Sequence, residues 1–441
     1  MSNLRHGLTP KMRPISARRS TILSVLDVGT TKVVCLIAKL EPMGASDTLR
    51  GRTHKIRIIG IGHQRSRGLK SGVVVDMLDA EKSIRQAVDA AERMAGLQVD
   101  SVIVNMTGGR VQSQGFTGQI TVPNREIGES DIHRVIEAAT AHTIANGRSV
   151  LHSLPIGYGL DQAAGIHNPT GMIGSRLAVE MHVSTCDTAA ARNLMLAVER
   201  GHLQVEAMVA TPYASGLATL VDDEAEMGVA VVDLGGGTTS VGVFAHGHLV
   251  HTDAIAVGGH HITMDIARGL TMRVSDADRL KALSGSAIES SSDERELLSI
   301  QQVGEDNRDY ATQITKAVLI RIIKPRVEEI FELVRDRLNK SGYGAEVGRR
   351  IVLTGGGAQL NGISELARRI LSRQVRIARP VGVHGLPDSA KTPAFATTVG
   401  LLIYPQMAGI EHFEPTSRSP LLRFAAGGYA SKFGAWLKES F

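Results

Sequence analysis

Apolar and polar positions follow two alternating rhythms along this chain. Runs at Thr21 to Leu40 and Lys55 to His63 are rich in apolar and β-branched residues, the pattern of strands. From Leu78 to Ala95 the spacing becomes helical: Ile84, Ala87, Val88, Ala91 and Met94 share a face and Gly96 stops the run. Residues 99–183 mix short strands, among them SVIVNMTG and RLAVEMHVST, with a helix near Glu129 to Ala145 and a turn-rich loop, GIHNPTGMIG. A helix over 187–200, a strand over 205–210, a β-type pair over 229–244 and helices near 260–269 and 275–283 follow. Residues 284–309 are polar and predict a loop-rich excursion. A helical pattern then runs from Lys324 to Lys340, and RIVLTGGGAQLNGISELARRI predicts strand, glycine turn and helix. The last ordered piece lies near Thr397 to Tyr404. Residues 1–20 read as a disordered basic arm with Pro10 and Pro14, 409–420 as a linker with Pro415 and Pro420, and 421–441 as a distinct tail.

Two of the β-type stretches carry glycine where a strand should not. VVDLGGGTTSVGVF (231–244) breaks at an aspartate and three glycines, then resumes as strand; SVLDVGTTKVVCLI (24–37) repeats the arrangement. Glycine packs nothing in a sheet and costs backbone entropy, so its clustering points to something lying close against the backbone. In a dinucleotide fold the glycine turn opens a helix, but SVGVF and KVVCLI are β-rich, so strand–turn–strand is the better reading. Such a hairpin aims successive N–H groups into one concavity, an anion nest. Thr30, Thr31, Thr238 and Thr239 add hydroxyls and Lys32 a charge, while Asp27 and Asp233 stand two residues before the glycine in both copies. Facing carboxylates of this kind suit a hydrated Mg²⁺ that bridges phosphate oxygens. Two matched copies half a chain apart imply two like α/β halves around a cleft.

Composition narrows the class. The chain has 441 residues, 43% of them hydrophobic, enough for a sizeable core in two or more domains. A net charge of +5, with the basic residues dispersed, gives no ground for a nucleic-acid partner. Cys35 and Cys186 lie in apolar stretches and make no disulfide framework, which fits a reducing compartment. No signal-peptide pattern follows the basic N-terminus, and no apolar run reaches the length of a transmembrane helix. The expectation is a soluble cytoplasmic protein. The sixteen histidines show no metal spacing, His260 and His261 included, and no Ser/His/Asp set is recognisable.

The tail changes the picture. The chain has 8 Phe, 6 Tyr and 1 Trp, yet Phe424, Tyr429, Phe433, Trp436 and Phe441 all lie in the final stretch. Tyr429, Phe433, Trp436, Leu437 and Phe441 recur at steps of three and four, one apolar stripe with Lys432 and Lys438 off it. Such a segment suits a bilayer interface, or else packs on the body or a partner. Gly427, Gly428 and Gly434 weaken the helix in water, as expected of a segment that folds on insertion.

With these motifs in hand, the chain resembles the actin, sugar-kinase and seventy-kilodalton heat-shock ATPase superfamily, and within it the FtsA family of bacterial cell-division proteins. The likeness rests on DVGTTKV, SRGLKSGVVVD, GIHNPTGMIGSRL, VVDLGGGTTSVGVF, AVGGHHITMDIA, IVLTGGGAQLNGI, TTVGLL and AWLKESF. It implies an α/β actin-like ATPase fold that binds ATP and Mg²⁺ between two duplicated halves. Asp27, Gly29, Thr30, Thr31 and Lys32 would form the first phosphate loop, and Asp233, Gly235, Gly236, Gly237 and Thr238 the second, with the two aspartates holding metal through water. Gly355, Gly356 and Gly357 would lie against the adenosine and Gly258 and Gly259 would line the same cleft. Asp278 and Lys281, three apart on one helix, would reach ribose or base, or else form a solvated face; relatives usually have Glu at 278, and the shorter acid departs from that. Where strongly hydrolytic members place a Gln or Glu to orient water, this chain has Thr211, so the resemblance implies slow hydrolysis.

The implied organisation is a basic arm (1–20), subdomain 1A (21–83, 184–226, 385–408), an inserted subdomain 1C (84–183), subdomain 2A (227–258, 326–384), subdomain 2B (259–325), a linker (409–420) and an amphipathic membrane-targeting helix (421–441). The implied role is to polymerise into filaments on the inner face of the cytoplasmic membrane at midcell, to tether the ring of tubulin-like FtsZ through its C-terminal peptide, and to recruit later division proteins. Subdomain 1C would serve filament contacts. Lys316, Arg321, Lys324 and Arg326 could meet the acidic peptide, or equally be a solvated helix face. The alternative is a small-molecule kinase of the same superfamily, which would need a carboxylate base that no motif offers; a chaperone ATPase would need a substrate-binding β-domain after the ATPase.

Overall fold

The structure, a computed structural model, describes residues 9–12, 14–43, 52–140, 145–304, 312–344 and 347–411. The chain divides into two compact units. The larger comprises Met1–Phe116, Thr143–Ile156 and Met181–Glu411, and the smaller contains residues 117–142 and 157–180.

The larger unit contains the same arrangement twice. In the first sheet the hairpin strands Thr21–Val28 and Lys32–Pro42 pair antiparallel, as Asp27 with Val34 and Val28 with Val33. His54–Arg65 continues on one side, and Ser101–Met106 and Gln204–Ala210 add in parallel on the other. In the second sheet Val229–Leu234 pairs antiparallel with Thr239–Ala245, which pairs with His248–Ile255. Arg350–Thr354 and Gln374–Ile377 add in parallel beyond it. Both hairpins therefore hold the same place in strand orders that match element by element. Their inner strands are buried on both faces, which is why they read as continuous apolar runs and not as alternation.

Helix Met77–Ala95 is capped by Asp76, which accepts the Asp79 N–H at 3.0 Å, and ends at Gly96, whose φ of 68° lets its N–H reach Glu92 O. Its buried face is Ala80, Ile84, Ala87, Val88 and Ala91. On strand His54–Arg65, any side chain at Gly60 or Gly62 would run into the Ala91 and Ala87 backbone, so glycine permits the close approach. The helix thus packs on the first sheet. The expected start of the insertion at 84 falls in the middle of it, and the separate unit begins only near 117.

Other expectations need correction. The basic arm is not detached from residue 9 onward: Thr9 N–H and Oγ1 both donate to Val150 O, Pro10 O accepts the Met208 N–H, and Lys11 pairs with Glu411 at 3.2 Å. Glu411 is itself buried, so the expected linker at 409 begins two residues into the folded body. The long helix starts at Lys316 and not Lys324; Pro325 lies inside it, and burial of Leu319, Ile320, Ile323, Val327, Ile330 and Phe331 outweighs the lost backbone hydrogen bond. The polar excursion contains a strand, Leu297–Ile300, which pairs with Thr312–Thr315 just beyond it. Helix Ala396–Met407 is buried over nearly its whole circumference.

In the smaller unit, helix Glu129–Thr140 carries Asp131, which accepts from Gly128 N–H and from Arg125 at 2.8 Å. Residues 141–144, the expected end of that helix, and residues 412–441, with the whole aromatic stripe, lie outside the described residues. No helix among the described residues is long and apolar enough to cross a membrane.

Buried imidazoles make the larger unit acid-sensitive. His182 accepts or donates at Ser113 Oγ (2.8 Å), and burial holds its pKa down at about 3; burial also depresses His152. The unfolded chain takes up these protons near pH 6.5 while the folded one refuses them, so stability falls as pH drops from 6.5 toward 3. Each such histidine approaches a slope of about 1.4 kcal/mol per pH unit. Asp27 and Asp233, raised by burial, oppose this trend, so the check is differential: in thermal melts between pH 8 and 5, His182→Gln should lose less stability on acidification than the wild type.

Candidate functional site

The two hairpin turns close in the same way. Gly29 N–H donates to Lys32 O at 3.0 Å, and Gly235 N–H donates to Thr238 O at 2.9 Å. Their tips touch: a methyl group at Gly236 would collide with the Thr31 side chain, and one at Gly237 with Thr30. Asp27, Asp233 and both tips line a single cavity of about 140 Å³. The mirrored loops therefore share one crevice, in which glycine lets the second tip lie against the threonine side chains of the first.

The carboxylates are held by one helix. At the start of Ala396–Met407, Thr397 Oγ1 donates to Asp233 Oδ2 at 2.8 Å, and the next residue, Thr398, donates to Asp27 Oδ2 at 2.9 Å. Ser215 Oγ donates to the same Asp233 oxygen. Burial pushes Asp27 up to about 6, against the opposing pull of Lys32 and Thr398 and with Asp233 adding to the rise. Burial likewise raises Asp233, against the donors Ser215 and Thr397. Lys32 Nζ lies 3.8 Å from the Phe395 ring centroid and donates to Ala394 O; burial lowers its pKa while both aspartates raise it. Two acids against one buried lysine leave the crevice short of positive charge.

Residues that no motif marked complete the walls. Asn105 Oδ1 accepts the Val28 N–H at 2.7 Å, just before the first turn, and Asn105 Nδ2 donates to Thr107 Oγ1 at 3.0 Å. Thr107 and Thr211 hydroxyls pair at 2.5 Å. Thr30 Oγ1 accepts the Gly72 N–H, so SRGLKSGVVVD braces the first loop from outside. A signal for Asn105 existed in its place at the end of a parallel strand, but an isolated asparagine has many structural uses.

The remaining predicted glycines have distinct duties. Gly355, at φ 87°, presses on Asp233 and Leu234, and Gly357 lies on Leu234, so neither tolerates a side chain. Gly356 borders the crevice. Gly258 and Gly259 support the second loop from behind: Gly259 N–H donates to Gly235 O at 2.9 Å and His260 N–H to Gly236 O at 2.7 Å. Lys281 Nζ donates to Gly259 O at 3.1 Å, to Thr263 Oγ1 and to Asp278. Asp278 and Lys281 thus pair beside Gly259, outside the phosphate-sized crevice. The four basic residues offered for an acidic peptide are all in ion pairs: Lys316 with Glu296, Arg321 with Glu294, Lys324 with Glu289 and Arg326 with Asp265.

Family comparison agrees with this geometry. The family model described as "Cell division protein FtsA" matches residues 230–400, and that described as "SHS2 domain inserted in FTSA" matches residues 108–185. A relative from Agrobacterium fabrum, "Cell division protein FtsA", is 54% identical over 437 residues, 99% of this chain and 98% of the relative. The chain belongs to the FtsA family. Among solved structures, the PilM-PilN type IV pilus biogenesis complex superposes with a TM-score of 0.58 at 15% identity, covering 89% of this chain and 99% of that one. MreB5 of Spiroplasma citri bound to ADP gives 0.50 at 16% identity, over 89% and 98%. These likenesses show the fold: this FtsA-family member has the actin-like ATPase fold with an SHS2 insertion.

Because Ser215 and Thr397 share one oxygen of a buried carboxylate, removing either leaves the acid under-satisfied. Ser215→Ala or Thr397→Val should each lower unfolding stability by about 1–2 kcal/mol, with the double variant costing less than the sum. Chemical denaturation of the three variants measures this.

Proposed function

We propose that this FtsA-family protein binds ATP with Mg²⁺ between the two hairpins and uses the nucleotide chiefly as a conformational ligand in cell division. The carrying observation is the single crevice shared by Asp27, Asp233 and two glycine tips. The main-chain N–H groups of Thr30, Thr31, Gly236 and Gly237 would hold phosphate oxygens, and Lys32 would neutralise one. No cluster of three or more His, Cys, Asp or Glu capable of holding a metal occurs among the described residues. Two buried carboxylates short of positive charge nevertheless suit a hydrated Mg²⁺, which Asp27 and Asp233 would hold through water. When bound, the ion would supply the positive charge that Lys32 alone does not. Gly355, Gly356 and Gly357 would lie under the adenosine, with Asp278 and Lys281 at its outer edge.

Hydrolysis should be slow. Thr211 stands where a water-orienting residue is wanted, but its hydroxyl is short and engaged with Thr107 and Asn105. In this reading the nucleotide favours self-association into filaments on the inner face of the cytoplasmic membrane at midcell. The aromatic tail, Phe424 to Phe441, inserts at the bilayer interface, and the body tethers the FtsZ ring through the FtsZ C-terminal peptide and recruits later division proteins. The actin-like fold and membership of the FtsA family support it.

A fluorescent ATP analogue should bind in the presence of Mg²⁺, and Asp233→Ala should weaken it at least about tenfold, one missing charge-assisted interaction being worth roughly 1.5–3 kcal/mol. No saturable binding by the intact protein would refute the nucleotide site. The Mg²⁺ enhancement should fade below about pH 6, because protonated Asp27 no longer attracts the cation. Trp436→Glu should move the protein from co-sedimentation with phosphatidylglycerol-containing vesicles to the supernatant; unchanged pelleting would refute the anchor.

A further inference from the structure

A second cavity of about 340 Å³ lies in the larger unit, away from the aspartates. Its walls are largely apolar, lined by Tyr213, Leu217, Leu220, Phe244, Ile403 and Met407. This size and lining are those of a binding pocket rather than a packing flaw. Its rim is acidic and greasy together: Asp222 and Asp223 are exposed on the short helix Asp222–Met227, and Val221 and Met227 beside them are 53% and 70% exposed. The one arginine in the lining, Arg52, donates to Leu217 O at 3.1 Å, and its charge also acts on Asp222, so Asp223 is the acid left for basic groups of an occupant.

A complementary occupant brings bulky apolar side chains with basic residues beside them. Residues 421–441 have that composition: Tyr429, Phe433 and Trp436 on a stripe, Lys432 and Lys438 off it. They are also tethered at the right place. Ile403 and Met407 in the cavity wall belong to the last helix, and the chain leaves the described residues just after Glu411. The intervening residues 412–420 span up to about 30 Å when extended, and so short a tether gives an effective concentration on the order of millimolar.

We infer that this cavity is the lipid-free docking site of the chain's own aromatic tail, with Phe433 and Trp436 in the pocket and the lysines toward Asp223. The inference rests on the reading of the tail as a membrane anchor, since the same stripe would then exchange between pocket and bilayer. Docking also touches the nucleotide site through one element: Tyr213, Gly216 and Leu217 face the cavity, while Ser215 of the same helix holds Asp233.

Trp436 is the only tryptophan, so its emission reports the tail directly. In the full-length protein without lipid, emission should be blue-shifted relative to a synthetic 421–441 peptide in buffer and independent of protein concentration. Ala225→Phe, which fills the pocket, and Asp222→Lys/Asp223→Lys, which reverses the exposed rim, should each shift it to the peptide value. Both should also lower the lipid concentration for half-maximal binding to phosphatidylglycerol–phosphatidylethanolamine vesicles by about fivefold, as release of a tethered competitor requires. The rim variant keeps the test decisive if the filled pocket does not fold. Peptide-like emission in the wild type, or emission and vesicle binding unchanged in the rim variant, overturns the inference. A blue shift that grows with protein concentration assigns the pocket to another copy's tail and also overturns it. Wild type and variants that all ignore vesicles would refute the membrane reading, while the tryptophan shift still decides docking.

Discussion

Two carboxylates buried within one crevice, with only one lysine beside them, are the constraint on which the rest of the larger unit depends. A carboxylate out of water must be hydrogen-bonded, paired or protonated. Here adjacent threonines on one helix divide the task, Thr398 for Asp27 and Thr397 for Asp233. That helix can serve both halves only if the halves present their acids at matching places. The repeated strand order does this, since each aspartate ends the same strand of the same hairpin. Gly400, whose added side chain would strike the Ala214 backbone, brings the helix close enough to its neighbour. The residual demand for positive charge in the crevice follows from the same geometry and sets it apart from another packed turn.

The hairpins were legible in the sequence because they break a local rule, glycine and aspartate inside an apolar run, and break it twice in register. The residues that support them were not. Ser215, Thr397, Thr107 and Asn105 obey local rules; the parallel pairing of Ser101–Met106 with Thr21–Val28 and Gln204–Ala210 brings in Asn105, Thr107 and the helix of Ser215, and Thr397 comes with helix Ala396–Met407. Composition misled in a different way at the chain's edges. Prolines and basic residues made 1–20 look unable to bury anything, yet Lys11 is drawn in by a buried acid from the far end of the body. The helix begins eight residues before the pattern that starts at Lys324, because burial of Leu319, Ile320 and Ile323 holds its first turns in place despite Pro325.

That buried acid explains why both ends of the described chain are fixed. Glu411 accepts from Lys11 and from His152 Nδ1 at 2.7 Å; burial alone would raise its pKa, but these two partners hold it down at about 2. His152 Nε2 accepts the Ala210 N–H at 2.8 Å, which fixes the tautomer with its proton toward Glu411. A buried ionic group of this kind adds little net stability, but removing one partner is costly, so it serves to specify position. It ties the end of the described chain, through His152, to Ala210, the residue before Thr211 in the crevice.

Helix Thr211–Thr219 joins these features. Its first residue lines the phosphate-sized crevice, Ser215 one turn later binds Asp233, and Tyr213, Gly216 and Leu217 face the apolar cavity. A side chain at Gly216 would run into the Phe244 ring, so the helix cannot rotate far without repacking against the second sheet. A ligand shifts a conformational equilibrium only by contacting its two states differently. With one tightly packed helix as a wall of both cavities, any displacement that improves contact in one must alter the other. Coupling between them then needs no path through the rest of the molecule, only the stiffness of two helical turns.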